Sequence, residues 1–160
     1  MNFLIEEENK IKTCAFTGHR ELGADFDEKK LKLNIELLIK KGVTIFYNGG
    51  AVGFDLTAAK IVLKLKKKHD IKLIICVPFY GQEKNFSSAQ KELYNKILKE
   101  ADEVVVLSDN YYKGCFLRRN DYMIENADYL IAYLTKEVGG TAYTVKKFRA
   151  KKGDNVILIN

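Results

Sequence analysis

The stretch VTIFYNGGAVGFDLTAAKIVLKLKKK (Val43–Lys68) joins an apolar run to a helical pattern through a loop holding three glycines. "VTIFYN" is almost continuously apolar, without strict alternation. That pattern suits a parallel strand covered on both faces. "DLTAAKIVLKLKKK" carries helical spacing. The loop between them is not a Walker A loop, because no Gly-Lys-Ser/Thr follows. Nor does it spell G-x-G-x-x-G. Alone it supports a tight strand–helix turn; its neighbours give it more meaning.

Outward from this unit the same alternation repeats. Further strands are expected at "TCAFTG" from Thr13, "KLIICV" from Lys72, "EVVVLS" from Glu103, "DYLIAYL" from Asp128 and "NVILIN" from Asn155. Between them, "DEKKLKLNIELLIKKG" has Asp27 as an N-cap and Gly42 as the residue past its end, with Leu31, Ile35 and Leu38 on one face. "SSAQKELYNKILKEAD" offers a capping box, Ser87 with Gln90. "RRNDYMIENA" and "TAYTVKKFRAKKG" supply the last two helices, the second bringing Val145 and Phe148 together and stopping at Gly153. Pro78, the sole proline, ends the third strand.

Repeated β-α units predict an α/β fold: one Rossmann-like three-layer domain over residues 1–160, with an open, mainly parallel sheet of about six strands and helices on both faces. A strand order of 3-2-1-4-5-6 is expected.

Composition agrees with a globular chain: 47% hydrophobic and 30% charged residues are ordinary, and 160 residues suffice for a substantial core. No apolar stretch reaches membrane-spanning length, so no membrane partner is expected. "MNFLIEEENKIK" is acidic, with too short an apolar run for a signal peptide, and a cytoplasmic location is the expectation. Three scattered cysteines without C-x-x-C, and two histidines, argue against a zinc site or disulfide framework. Cys14 and Cys76 read as small core residues. Cys115 lies near a candidate loop, where a core role outweighs a reactive one. The net charge of +6 favours anionic partners, although most of the cations are lysines spread over helices.

In such a sheet, ligands bind beyond the carboxyl ends of the strands. Read together, the loops there are "TGHR", "NGGAVGFD", "PFYGQEKN", "SDNYYKGCFLRRN" and "TKEVGGTAYT". They hold three of the four arginines. Gly18 allows close approach; His19 can donate to a phosphate or ribose; Arg20 can pair with phosphate. Asn48, Gly49, Gly50 and Gly53 bring backbone N–H groups to a helix N-terminus, and Gly139, Gly140 and Thr141 repeat that logic. Asp55 can bind a ribose hydroxyl or cap its helix, the cap being the simpler role. Arg118 and Arg119 begin a helix, where cations oppose the dipole unless an anion is present. Asn120 can read a base or ribose edge. Tyr111 and Tyr112 can stack on a base or simply face solvent. Two glycine loops with arginines point to a phosphate-bearing small molecule, and a nucleotide fits best. No acidic pair is placed for metal chemistry and no cofactor is expected.

In this order, "FTGHR", "NGGAVGFD", "RRNDYMIENADYLIAYL" and "GGTAYT" resemble the YpsA-like branch of the SLOG superfamily, from Lys12 to the end of the chain. The resemblance implies a Rossmann-like fold, a nucleotide-derived ligand of ADP-ribose-like type, a bacterial or prophage source and a homodimer. The chain is more distantly similar to the DNA-processing DprA-type domains and to the LOG phosphoribohydrolases, which release a base from a nucleoside monophosphate. Arg119, Met123, Gly139, Gly140 and Thr141 match the LOG pattern. The departures are a missing proline, a shorter glycine loop and Thr144 where LOG enzymes carry their catalytic Glu. Glu125 and Glu137 are near in sequence, with nothing to place them in the site. The expected function is therefore binding of a nucleotide-derived ligand as a sensor or sequestering module, with no catalytic residue assigned. Hydrolysis of an N-glycosidic bond is the alternative. Single-stranded nucleic-acid binding ranks third.

Overall fold

The computed structural model describes residues 10–160; the opening stretch read against a signal peptide lies, through residue 9, outside the described residues. The elements run β1 (Lys12–Gly18), α1 (Glu28–Lys40), β2 (Val43–Asn48), α2 (Phe54–Leu65), β3 (Lys72–Val77), a 3-10 turn (Gln82–Asn85), α3 (Ser88–Glu100), β4 (Glu103–Val106), α4 (Cys115–Asn126), β5 (Tyr129–Tyr133), α5 (Gly140–Lys152) and β6 (Val156–Leu158). All five strand pairings are parallel.

The central strands are apolar on both faces because both are covered. Cys14 and Phe16 of β1, Leu73 and Ile75 of β3, and Ile131 and Tyr133 of β5 join one core with Leu31, Phe54, Val62 and Ile97 of α1 to α3. Their alternate neighbours Ala15, Ile74, Cys76, Leu130 and Ala132 join the other with Met123, Ile124, Val145 and Phe148 of α4 and α5. A period of two thus feeds two cores from one strand. Each fully buried large apolar side chain contributes about 1.5–3 kcal/mol.

Local signals hold where they were read. Asp27 accepts the Lys30 N–H at 3.2 Å, and Ser87 with Gln90 closes the capping box. Helix α4 begins three residues before the "RRN" expected to open it, at Cys115, because Gly114 supplies the left-handed turn at its start.

The strand order corrects the expectation. It is β4-β3-β2-β1-β5-β6, so the fourth strand lies outside the third and not beside the first. Strand β4 is short and half exposed, with Val104 at 38% and Val106 at 46%. Those are features of an edge strand. The chain then returns across the sheet to lay β5 on β1, Gly18 opposite Tyr133. The topological switch point therefore falls between β1 and β5, the position where a ligand crevice opens in this fold class.

Candidate functional site

A cavity of about 380 Å³ opens at that switch point. Its floor is the end of β1, from Phe16 through Arg20; Ala51 and Asp55 come from the α2 entry, Phe116, Leu117, Arg119 and Asn120 from α4, and Gly140 and Thr141 from α5. Gly18, His19, Arg20, Asp55, Arg119, Asn120, Gly140 and Thr141 are thus brought together.

The other five candidates do not line it. Asn48, fully buried, holds the glycine loop in shape: its Nδ2 donates to the Asp55 carbonyl at 2.7 Å and its Oδ1 accepts the Gly50 N–H at 2.8 Å. Gly53 has a φ of +80°, and a Cβ there would collide with the Arg20 carbonyl and stand 2.8 Å from that of His19. Its close approach is to the "TGHR" backbone, which the Phe54 N–H also reaches by donating to the His19 carbonyl at 3.2 Å. Gly49 is pressed against Arg119, Gly50 is buried beside Tyr94 and Gln82, and Gly139 caps α5 with open space around it. Gly18 does line the cavity, but a Cβ on it would strike the Phe54 ring.

Arg119 is buried at 5% exposure. Its Nη1 donates to the Gly49 carbonyl at 2.6 Å and its Nε to Asn120 Oδ1 at 2.8 Å. Gln82 Nε2 donates to the same Gly49 carbonyl at 3.2 Å. A Cβ on Gly49 would stand 2.5 Å from Arg119 Nη1 and 2.9 Å from Asp55 Oδ2, so this glycine separates the two buried charges.

Asp55 does not cap its helix. Gly53 is the cap, and Asp55 sits in the first turn with Oδ2 accepting the Ala51 N–H at 3.3 Å. Its Oδ1 is buried with no hydrogen-bond partner. Burial raises the carboxyl to about 6, against the lowering pull of Arg119, the Ala51 N–H and Arg20. His19 Nε2 accepts the Thr135 N–H at 2.9 Å, joining the β1 loop to the β5 loop. Burial, then Lys136, lowers its pKa and favours the neutral ring that this bond needs.

The helix starts divide in two. Helices α1 and α3 are capped by the side chains of Asp27 and Ser87. Helices α2, α4 and α5, which furnish the cavity, begin after Gly53, Gly114 and Gly139 without a side-chain cap. Uncapped N-termini leave N–H groups and positive dipole ends for an anion. Thr144, at the LOG glutamate's place, is buried and donates its hydroxyl to the Gly140 carbonyl at 2.8 Å.

Sequence reasoning missed Phe16, Thr17, Ala51, Phe116 and Leu117 as lining residues. Thr17 and Ala51 lay inside motifs already singled out. Phe116 had no signal of its own, since an aromatic ring near a helix start reads as core.

No helix among the described residues is long and apolar enough to cross a membrane. The chain is 32% identical over 127 residues to a UPF0398 protein of Halalkalibacterium halodurans, covering 78% of this chain and 67% of that relative. Its fold is similar to DNA processing protein A of Streptococcus pneumoniae (TM-score 0.68, 21% identity), over 92% of this chain and 50% of that one. The same holds for DNA processing protein A of Helicobacter pylori, for which a single-stranded DNA binding mode is described (TM-score 0.66, 18% identity, 92% of this chain, 64% of that one). The profile of the YpsA (YspA SLOG) family matches residues 14–159, and the chain belongs to that family.

Proposed function

We propose that the protein binds a phosphorylated, nucleoside-derived ligand in the β1/β5 crevice, as a sensor or sequestering module. The observation that carries this reading is Asp55, a residue of the cavity lining whose Oδ1 is a buried acceptor without a partner. Leaving such an atom unpaired costs about 1–3 kcal/mol. A ligand hydroxyl, as on a ribose, is the complementary donor. The uncapped start of α5 at Gly140 and Thr141 suits the phosphate, and Arg20 adds an exposed cation. A homodimer and an ADP-ribose-like identity of the ligand belong to this same reading.

A thermal-shift panel of ribose 5-phosphate, nucleoside mono- and diphosphates and ADP-ribose tests it, with chromatography of each mixture afterwards. The expected result is a raised Tm with the compound recovered intact. A panel that leaves Tm unmoved overturns the reading.

Hydrolysis is the second reading. Thr144 offers no carboxylate, and its hydroxyl is engaged inside α5. Asp55 favours the reading nonetheless, because a carboxyl held near 6 in a cavity suits proton transfer at neutral pH. Release of free base in the same chromatograms selects it. Single-stranded nucleic acid is the third ligand class, supported by the charge of +6 and tested by a steep fall of affinity with salt.

A further inference from the structure

A second cavity, of about 340 Å³, shares Arg20, Ala51 and Phe116 with the first and extends from it over the α2 entry. Three aromatic rings, two from loops and one from the first turn of α4, meet on its wall. Phe79, from the loop after β3, lies 5.5 Å from Tyr111 and 6.0 Å from Phe116, and Tyr111 lies 6.3 Å from Phe116. Rings gathered this way normally bury themselves, yet Tyr111 is 63% exposed. The cavity's lining also includes Gln82, Asn85 and Gln90. Gln82 spends its Nε2 on Gly49 and Tyr94, and Gln90 spends its Oε1 on the Ser87 N–H. One amide therefore keeps an acceptor and another a donor. No carboxylate lines this compartment. By contrast, the more open cavity beside His19 and Tyr133 carries Glu21 and Asp25. Arg20 stands at the junction, its guanidinium 5.1 Å above the Phe116 ring.

An uncharged aromatic compartment with leftover amide groups, joined through a cation to an anion site, matches one chemistry. We propose that it is a nucleobase subsite, in which a heterocycle stacks on the exposed Tyr111 ring and packs against Phe79 and Phe116, both steeply inclined to it, while its sugar phosphate occupies the first cavity. This rests on the anion-binding reading of that cavity. The base has two sources, a free nucleotide or a residue of a single strand, and both present the same face.

Calorimetry with ribose 5-phosphate, AMP and a ten-residue oligothymidylate tests the subsite on the wild-type protein and on Tyr111→Ala, Phe79→Leu and Tyr111→Phe. Tyr111 is exposed, so its variants keep the fold, as circular dichroism checks. In the wild type a base-bearing probe binds tighter than ribose 5-phosphate. Tyr111→Ala and Phe79→Leu weaken the base-bearing probe by roughly 5- to 100-fold and leave ribose 5-phosphate unchanged, while Tyr111→Phe retains affinity. If AMP carries the effect, the base comes from a free nucleotide; if only the oligonucleotide does, it comes from a strand. Equal affinity for ribose 5-phosphate and both base-bearing probes, or no loss in Tyr111→Ala and Phe79→Leu, overturns the subsite and leaves the anion site standing. Failure of all three probes to bind the wild type overturns both.

Discussion

Arg119 Nη1 donates to the carbonyl of Gly49 at 2.6 Å, tying helix α4 to the glycine loop that follows β2. A pure ligand-contacting arginine would be dispensable in the free protein. This one also satisfies a backbone acceptor and faces the buried Asp55. Arg119→Ala is therefore expected to lose about 2–3 kcal/mol of stability without any ligand, the worth of a buried hydrogen bond to a charged group. Arg119→Lys keeps the charge but not the fork that serves Gly49 and Asn120 together, so it recovers only part. Urea unfolding of the free variants measures both. A wild-type midpoint for Arg119→Ala would mean the contact is not structural.

The glycines separate by what they approach. Gly53 combines a φ of +80° with the carbonyls of His19 and Arg20 against its Cα, whereas nothing lies within 4 Å of a Cβ at Gly139. Gly53→Ala is expected to cost more than about 2 kcal/mol, strain and collision together, and Gly139→Ala about 1 kcal/mol from strain alone. Thermal unfolding ranks them, and reversal of that order contradicts the geometry.

Much of this architecture was readable in advance, and the failures have identifiable causes. Apolar runs, helical spacing and the caps at Asp27 and Ser87 are local properties, so they survive folding unchanged. The place of Glu103–Val106 is not local. It depends on which edge its crossover reaches, and nothing in "EVVV" encodes that. Glycine spacing in "NGGAVGFD" announced close backbone approach without saying to what. The answer for Gly49 and Gly53 is the protein's own Arg119 and "TGHR" backbone. Asp55 was readable as a polar group at a helix start. Its burial and unpartnered oxygen were not, because they arise from α4 packing across the loop.

That burial predicts a pH dependence. The carboxyl of Asp55 is raised from 3.8 to about 6 on folding, so between those values the folded protein holds the proton that the unfolded chain releases. Stability from this group is full below pH 4, falls as pH rises through 6, and is flat above, a loss on the order of 3 kcal/mol. His19 acts oppositely, since its lowered pKa makes folding lose stability as pH falls below 6.5. The Asp55 part is isolated by difference: Asp55→Asn is expected to remove the fall between pH 4 and 6. Its Tm at pH 7.5 then rises above wild type while ligand affinity drops. A Tm profile parallel to wild type over that window would refute the assignment.

Arg20 provides the converse of Arg119. It is exposed, it forms no ion pair within 4 Å among the described residues, and its guanidinium rests on Phe116 at 5.1 Å. An exposed cation–π contact is worth about 0.5–1 kcal/mol. Arg20→Ala is therefore expected to change folding stability by no more than that, within the scatter of surface substitutions. Yet Arg20 lines both compartments of the cleft, so removing its charge withdraws a cation from any anion that bridges them. The expected outcome is a near-wild-type melting curve with phosphorylated ligands bound roughly 10-fold more weakly, a loss that shrinks as added salt screens the wild-type charge. Thermal unfolding and calorimetry at two ionic strengths give both numbers. An unchanged affinity at low salt would remove Arg20 from the site, and a large drop in Tm would make it a structural residue like Arg119.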